Sequence, residues 1–168
     1  MTFAALLLGL VTLGRLGELA LARRNTARLL ARGAVEIAPG HYPAIVALHA
    51  GWLGALWVYG IGQPVNPIWL AVFGVLQIAR VWVLTTLGSR WTTRILVVPH
   101  ERLVARGPYR FVNHPNYIVV IGEIAVLPLC LGLPWLAAVF TVLNALVLAV
   151  RIRAENAGLG RIAVHAAG

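Results

Sequence analysis

Five apolar segments, separated by polar or charged connections, set the pattern of this chain. They cover residues 3–22, 43–62, 67–88, 117–133 and 134–150. A helix needs roughly 17–25 mostly apolar residues to cross the hydrocarbon core of a bilayer. The pattern therefore predicts an all-α integral membrane protein, a bundle of about five transmembrane helices that forms a single domain over residues 1–168.

Short and long connections alternate along the chain. Residues 63–66 and 131–134 contain Pro and no charge, which favours tight turns between antiparallel helices. Most arginines lie in residues 23–42, in residues 89–116 and after residue 150, so the positive-inside rule predicts a cytoplasmic location for these segments and an outside N-terminus. A cleaved signal peptide over residues 1–22 is the alternative, but no positive n-region precedes its apolar run.

Composition supports the membrane interpretation. Hydrophobic residues make up 60% of the chain and charged residues 11%, whereas about a quarter of a soluble domain is charged. The net charge of +9 comes from arginines in the connections, which membrane topology explains better than nucleic-acid binding. With one cysteine, Cys130, and no His or Cys pair at ligand spacing, the sequence predicts neither a disulfide nor a metal site.

A polar loop before the fourth segment carries the most distinctive residues. It contains the run Gly107-Pro108-Tyr109-Arg110 and the run His114-Pro115-Asn116-Tyr117. We expect Asn116 to cap the fourth helix, whose free N–H groups would then favour a nearby anion. Residues 95–98 are predicted to form a short strand that pairs near Leu103-Val104. An ordinary basic loop on lipid headgroups would explain the arginines but not the aromatic and proline pattern.

Four ionisable residues fall inside the predicted spans: Arg15, Glu18, Arg80 and Glu123. Such residues are costly in hydrocarbon and usually face the interior of a bundle. Arg15 and Glu18 are three apart and can pair on one helix face, while Arg80 can extend to the headgroups. Glu123 lies close to the polar loop, which makes it a candidate site residue.

A second polar cluster follows the fifth span. Arg151 and Glu155 lie on one helix face, and Asn156 comes next. The predicted orientation places this cluster on the same side of the membrane as the polar loop. Together they form a candidate pocket, and a simple helix-end charge pair is the structural alternative.

At these residues the chain resembles the isoprenylcysteine carboxyl methyltransferase family of integral membrane methyltransferases. The resemblance covers residues 88–159 and rests on Gly107 to Arg110, His114-Pro115, Tyr117, Arg151 and Glu155. The run Gly88-Ser89-Arg90-Trp91-Thr92-Thr93-Arg94 is similar to a bacterial subgroup, found beside type III polyketide synthases, that methylates alkylpyrones and related lipids. The resemblance thus implies a protein of the bacterial cell membrane.

The resemblance implies that S-adenosylmethionine binds without a Rossmann domain, in a region formed by residues 88–123 and 151–159. The implied cofactor-binding residues are Tyr109, Asn113, His114, Pro115, Tyr117, Arg151, Glu155 and Asn156. The chain departs from the family pattern at four points: Asn113 replaces an Arg, Val119 a common Gly, Asn156 a second acid, and the tail lacks Tyr. These departures bear on the substrate more than on the fold.

The expected reaction is methyl transfer to an oxygen of a lipophilic carboxylate or hydroxyl acceptor, isoprenylcysteine-like or alkylpyrone-like, which arrives through the membrane lipids. Arg90 or Arg94 would orient a carboxylate, and Glu123 would be the general base for a hydroxyl. Three alternatives remain. They are a phospholipid N-methyltransferase, an NADPH-dependent sterol-type reductase of related fold, and a non-catalytic lipid-binding membrane protein.

Overall fold

Five α-helices form the part of the protein that the structure describes. The computed structural model describes residues 2–37, 39–99, 101 and 104–166, with side chains for all of these except residues 41 and 156–166. The helices are α1 (Phe3–Ala31), α2 (Tyr42–Gly60), α3 (Pro67–Leu87), α4 (Pro115–Cys130) and α5 (Pro134–Ala166). Two two-residue strands, β1 (Val35–Glu36) and β2 (Leu96–Val97), and three 3-10 turns lie in the connections. The predicted all-α membrane bundle is confirmed.

The helix boundaries extend two of the predicted spans. Helix α1 continues nine residues beyond residue 22, and α5 continues well beyond residue 150, so arginines predicted in connections lie on helix ends. Within the described residues, four helices are long and apolar enough to cross a membrane, namely α1, α2, α3 and α5. Helix α4 has only 16 residues, which at about 1.5 Å per residue is about 24 Å, less than the roughly 30 Å of hydrocarbon.

Polar side chains of a type that commonly caps helices begin α1 and α3, whereas the start of α4 differs from the prediction. The side chain of Thr2 accepts a hydrogen bond from the Ala5 N–H, and that of Asn66 accepts from Ile68 and Trp69. The prediction that Asn116 caps α4 is wrong, because Pro115 already occupies the first turn and His114 is the capping residue. Asn116 lies one residue inside the helix, where its Oδ1 is buried and has no partner among the described residues.

The short helix α4 occupies the centre of the bundle. It packs against α3 on one side and α5 on the other, and it also touches α2. The core that surrounds it is apolar, with Trp52, Phe73, Ile124 and Leu127 almost fully buried. Large apolar side chains on the outer faces of the long helices are exposed, as lipid-facing residues should be.

The two ends of the bundle differ in character. At one end, the Thr2 hydroxyl donates to the Ile61 carbonyl (2.5 Å) and the Asn66 N–H donates to the Cys130 carbonyl (2.8 Å). These contacts join the start of α1 to the two short uncharged turns. The opposite end, called the polar end below, contains the described residues 25–37, 39–42, 88–99, 101, 104–114 and 151–155. Both long connections and the C-terminal cluster therefore share one end, as the sequence predicts.

The predicted strand exists, but its predicted partner is wrong. Strand β2 pairs antiparallel with β1, with Val35 opposite Val97 and Glu36 opposite Leu96. Leu103 lies outside the described residues, and Val104 is in no strand. The cause is Asn25 of α1, whose Nδ2 donates to the carbonyls of Gly88 (3.1 Å) and Trp91 (2.8 Å). These bonds hold the segment after α3 against the end of α1, so β2 meets the residues that follow α1.

Candidate functional site

Five of the predicted site residues come together at the polar end and form what we call the Tyr117 cluster. They are Tyr109, His114, Tyr117, Arg151 and Glu155. The Tyr117 hydroxyl donates to Glu155 Oε2 (2.6 Å) and accepts from Arg151 Nε (2.8 Å). Because Arg151 and Glu155 are one helical turn apart on α5, both reach the first turn of α4. One hydroxyl therefore joins a cation and an anion across the α4–α5 pair.

Aromatic contacts add a second layer to this cluster. The ring of His114 stacks on that of Tyr117, with centroids 5.0 Å apart and an interplanar angle of 12°. The guanidinium carbon of Arg151 lies 5.4 Å from the centroid of the same ring, within the range of a cation–π interaction. His114 Nδ1 is 3.9 Å from Glu155 Oε2, so a protonated imidazole would also attract this carboxylate.

Tyr109 reaches the cluster from the 3-10 turn Gly107–Arg110. Burial, with a smaller contribution from the Glu155 carboxylate, raises the pKa of Tyr109 to about 12. Its side chain is therefore a neutral phenol at physiological pH, able to donate or accept a hydrogen bond. Tyr109 and Tyr117 therefore both lie within electrostatic range of the Glu155 carboxylate.

The other predicted cofactor residues contribute less. Pro115 is buried in the first turn of α4, where it holds His114 and Tyr117 in place without offering a polar group. Asn113 is exposed and makes no hydrogen bond with a described residue. The side chain of Asn156 lies outside the described residues. The structure therefore brings five of the eight predicted side chains together, and their role in cofactor binding stays a prediction.

The Tyr117 cluster keeps unused hydrogen-bonding capacity. Arg151 is only 8% exposed, yet Nε is the only one of its donors with a partner among the described residues. A guanidinium has five N–H donors in a planar fork that matches a carboxylate. The site thus offers donors for an anion, a carboxylate for an ammonium group or hydroxyl, and aromatic faces for a cation.

The four intramembrane charges form a closed network, called the four-charge ring, of Arg15, Glu18, Arg80 and Glu123. Arg15 Nη1 lies 3.0 Å from Glu18 Oε2, and Arg15 Nη2 lies 2.9 Å from Glu123 Oε1. Arg80 binds Glu18 through two nitrogens, each at 2.5 Å, and Glu123 through Nη1 at 2.8 Å. Cations and anions therefore alternate around the ring, which joins α1, α3 and α4.

This ring changes the interpretation of Glu123. The residue does not reach the Tyr117 cluster, since it lies six positions after Tyr117 on α4, about 9 Å of helical rise. Each of its oxygens is held by a guanidinium, and Oε1 also accepts from Gln77 Nε2 (2.7 Å). A carboxylate in that state is a poor general base. The expected extension of Arg80 to the headgroups is also wrong, because Arg80 is buried and paired.

Gln77 is a residue that the sequence interpretation missed. A signal was present, because a lone amide three residues before Arg80, in an otherwise apolar span, lies on the same helix face as the arginine. Asn144 of α5 is a similar case: it is 1% exposed and its Nδ2 has no partner among the described residues. Both amides lie within the bundle rather than in the Tyr117 cluster.

The two arginines predicted to bind substrate lie apart from the Tyr117 cluster. Arg94 Nη1 pairs with Glu36 Oε2 (2.8 Å), and its guanidinium carbon lies 4.8 Å from the centroid of the Tyr42 ring. Arg90 Nη2 pairs with Glu101 Oε2 (2.6 Å). Arg90 also lines a cavity of about 360 Å³ where α3 meets the polar loop. Of the two, Arg90 therefore has the better access to a ligand.

Known proteins that are similar to this chain point to one family. The chain matches the description of the isoprenylcysteine carboxyl methyltransferase (ICMT) family over residues 69–161, more than half of its length. It is 38% identical to the uncharacterized protein YpbQ of Bacillus subtilis (strain 168), over 95% of this chain and 98% of that protein. It is 25% identical to an uncharacterized protein of Haemophilus influenzae, over 88% of this chain and 90% of that protein. No solved structure matches at a significant level.

Proposed function

The chain belongs to the isoprenylcysteine carboxyl methyltransferase family of membrane methyltransferases, and from that premise we propose that it methylates an oxygen of a lipophilic acceptor. The proposed methyl donor is S-adenosylmethionine. The acceptor is a lipophilic carboxylate or hydroxyl compound, isoprenylcysteine-like or alkylpyrone-like. It reaches the protein through the bilayer, while the donor arrives from the cytoplasm of a bacterial cell.

The observation that supports this proposal best is the bond pattern around the Tyr117 hydroxyl, which joins Arg151 to Glu155. The methyl donor carries a carboxylate, an ammonium group, ribose hydroxyls and a sulfonium. The guanidinium fork of Arg151, whose Nη atoms have no hydrogen-bond partner among the described residues, suits the carboxylate. Glu155 suits the ammonium group or a ribose hydroxyl, and the stacked rings of His114 and Tyr117 suit a cation.

The chemistry needs little from the protein beyond placement. S-adenosylmethionine supplies an electrophilic methyl carbon attached to a sulfonium, which leaves as a neutral thioether. The residues of the Tyr117 cluster hold the donor in one orientation, and the bilayer-facing helices limit the approach of the acceptor. Such positioning is worth several orders of magnitude in rate. We also propose that Arg90 contacts the acceptor, with Arg94 holding the β1–β2 connection beside it.

The state of Glu123 affects the choice between acceptor types. A carboxylate acceptor is already ionised near pH 7 and needs no base. A hydroxyl acceptor needs a base, and Glu123, the base expected from the sequence, is held by two guanidinium groups. This arrangement favours an acceptor that arrives as an anion.

Calorimetric titration of detergent-purified protein with S-adenosylmethionine, and separately with NADPH, tests the proposal. We expect binding of S-adenosylmethionine alone. The variant His114→Ala should bind it about fivefold more weakly, because it loses the stacked ring. The matched control is Phe111→Ala, which removes an aromatic side chain of the same loop that is 71% exposed, and its affinity should equal that of the wild type.

Other results would identify other functions. Binding of NADPH instead would indicate a reductase, and binding of neither ligand would indicate a non-catalytic lipid-binding protein. Methylation of a phospholipid amine, with no methylation of an anionic oxygen, would indicate a phospholipid N-methyltransferase.

A further inference from the structure

A cavity lies where the end of α3 meets the polar loop. Its volume is about 360 Å³, within the range of small-molecule sites. Its polar lining comes from Thr86, Ser89, Arg90 and Arg106, and its apolar lining includes Leu87 and Val104. A cavity lined by two guanidinium side chains and by apolar groups suits a molecule with a polar head and an apolar tail.

Gly107 explains how the wall of this cavity forms. Its φ is +57°, a backbone conformation that residues other than glycine rarely adopt. A Cβ at this position would lie 2.5 Å from Thr86 Oγ1, so only glycine allows the loop to approach α3 so closely. This approach places Arg106 against the helix end, where its Nη2 donates to the Thr86 carbonyl at 3.4 Å. The glycine of the Gly-Pro-Tyr run is thus needed to place an arginine.

The charges around the cavity do not balance. Glu101 is the carboxylate that pairs with Arg90, and it also pairs with Arg32. Arg106 forms no ion pair with any residue in the described part of the chain. Among the described residues of this part of the polar end, the three guanidinium groups of Arg32, Arg90 and Arg106 therefore accompany one carboxylate, that of Glu101. An added anion would improve this balance, whereas an added amine would worsen it.

We propose that this cavity binds the anionic head of the methyl acceptor and that Arg106 is the residue that selects an anion. This inference depends on the proposed function. Arg106 immediately precedes the turn that carries Tyr109 of the Tyr117 cluster, so acceptor and donor would bind at the two ends of a four-residue segment. The apolar tail would extend along the bilayer-facing side of α3, where Ile78 and Trp82 are exposed.

The resulting reaction balances without a protein base. The anionic oxygen of the acceptor forms a bond to the methyl carbon, and the carbon–sulfur bond breaks with its electron pair moving to sulfur. The sulfonium becomes a neutral thioether, the acceptor becomes a neutral ester or ether, and no proton moves. This balance agrees with the ion pairs that engage Glu123.

The test is a comparison of two ligands that differ only in head charge. N-acetyl-S-farnesylcysteine and its primary amide would be titrated into protein held in phosphatidylcholine nanodiscs, with binding to empty nanodiscs subtracted. We expect the wild type to bind the carboxylate about tenfold more tightly than the amide, because only the carboxylate can form a charge-assisted hydrogen bond with a guanidinium. In Arg106→Gln the preference should fall to threefold or less, with amide binding unchanged. Arg153→Gln, an exposed arginine of the same end, should keep the full preference.

Three outcomes would overturn this assignment. They are equal affinity of the wild type for the two ligands, binding of neither, or a full preference retained in Arg106→Gln. A further measurement repeats the titration in nanodiscs in which about one lipid in three is the anionic lipid phosphatidylglycerol. Loss of carboxylate binding there would show that the cavity belongs to lipid phosphate rather than to the acceptor. The affinity of the same preparations for S-adenosylmethionine is measured as well. If S-adenosylmethionine still binds, the outcomes above contradict only the assignment of this cavity, whereas a loss of S-adenosylmethionine binding contradicts the proposed function.

Discussion

The four-charge ring and the Tyr117 cluster contain the same types of charged residue in opposite states. In the ring, both oxygens of Glu18 and both oxygens of Glu123 are held by guanidinium groups. In the cluster, among the residues that the structure describes, Arg151 uses one donor and Glu155 receives one hydrogen bond, from a neutral hydroxyl. Each carboxylate of the ring is fully paired within the ring, whereas Arg151 and Glu155 keep unpaired donor and acceptor positions with respect to the described part of the chain. Pairing, more than the mere presence of charge, distinguishes a structural network from a candidate binding site.

The positions of the two groups explain this difference. The ring lies within the span of the bundle, where no water compensates a charge, so each ion must find its partners in the protein. The cluster lies at the polar end, where a soluble ligand can supply the missing partners. A membrane protein can therefore keep open polar groups at its end that it could not keep at its centre.

The largest effect should come from breaking the ring. Glu123→Gln removes an anion that faces Arg15 and Arg80 and leaves two cations with one carboxylate. Removal of one partner of a buried ion pair costs about 3–5 kcal/mol. Thermal unfolding in detergent should therefore show a large loss of stability, with weaker binding of S-adenosylmethionine only as a consequence of unfolding.

Glu36→Gln is the control for this comparison, because the side chain of its partner Arg94 is 40% exposed. Exposed pairs are worth about 0–1 kcal/mol, so this variant should unfold close to the wild type. Wild-type stability of Glu123→Gln with a loss of turnover would restore Glu123 as the general base.

A smaller effect is expected at the cluster. Tyr117→Phe keeps the ring that His114 stacks on and removes the hydroxyl that joins Arg151 to Glu155. Loss of one partner of a buried polar group costs about 1–3 kcal/mol, and we expect the cost to appear as about tenfold weaker binding of S-adenosylmethionine by calorimetry. Tyr59→Phe makes the same change at the opposite end of the bundle, where Tyr59 contacts Trp135, and should bind normally. Unchanged affinity in Tyr117→Phe would remove this hydroxyl from the proposed site.

The smallest effect concerns pH. Burial raises the pKa of Tyr109 to about 12, so the folded protein favours the neutral phenol. The contribution of Tyr109 to stability is thus complete below pH 10 and declines as the pH rises toward 12. The absorbance difference at the phenolate band between wild type and Tyr109→Phe should show a transition near pH 12. A transition near pH 10 would mean that Tyr109 is solvated and does not reach the cluster.

Much of this architecture was predictable because it follows from local chemistry. Apolar length determines which segments can be transmembrane helices, and Pro67 and Pro134 mark where two of them begin. Helical spacing places Arg151 and Glu155 on one face, and Tyr117, one of the aromatic residues expected beside them, is hydrogen-bonded to both. Each of these features depends on residues that are close together in the sequence or on segments that share the polar end.

What local pattern could not supply were the long-range partners. Asn25 holds the segment after α3 through bonds to residues more than sixty positions away, and this contact selects β1 rather than Val104 as the partner of β2. Likewise, Glu123 lies in the sequence near the polar loop, but the packing of α1, α3 and α4 turns it toward Arg15 and Arg80. Because a charge in a bilayer takes its character from its partners, these roles needed the tertiary structure.

The sequence by itself determined the membrane class, the number of helices, the common end of the charged segments and the five residues of the Tyr117 cluster. The tertiary structure decided which charges are satisfied, which strand pairs with which, and that Gly107 places Arg106 beside a cavity. The physical reason is the range of the forces involved. Hydrophobic length and helical periodicity act within one segment, whereas the pairing of buried ions and close backbone approach depend on how separate segments pack.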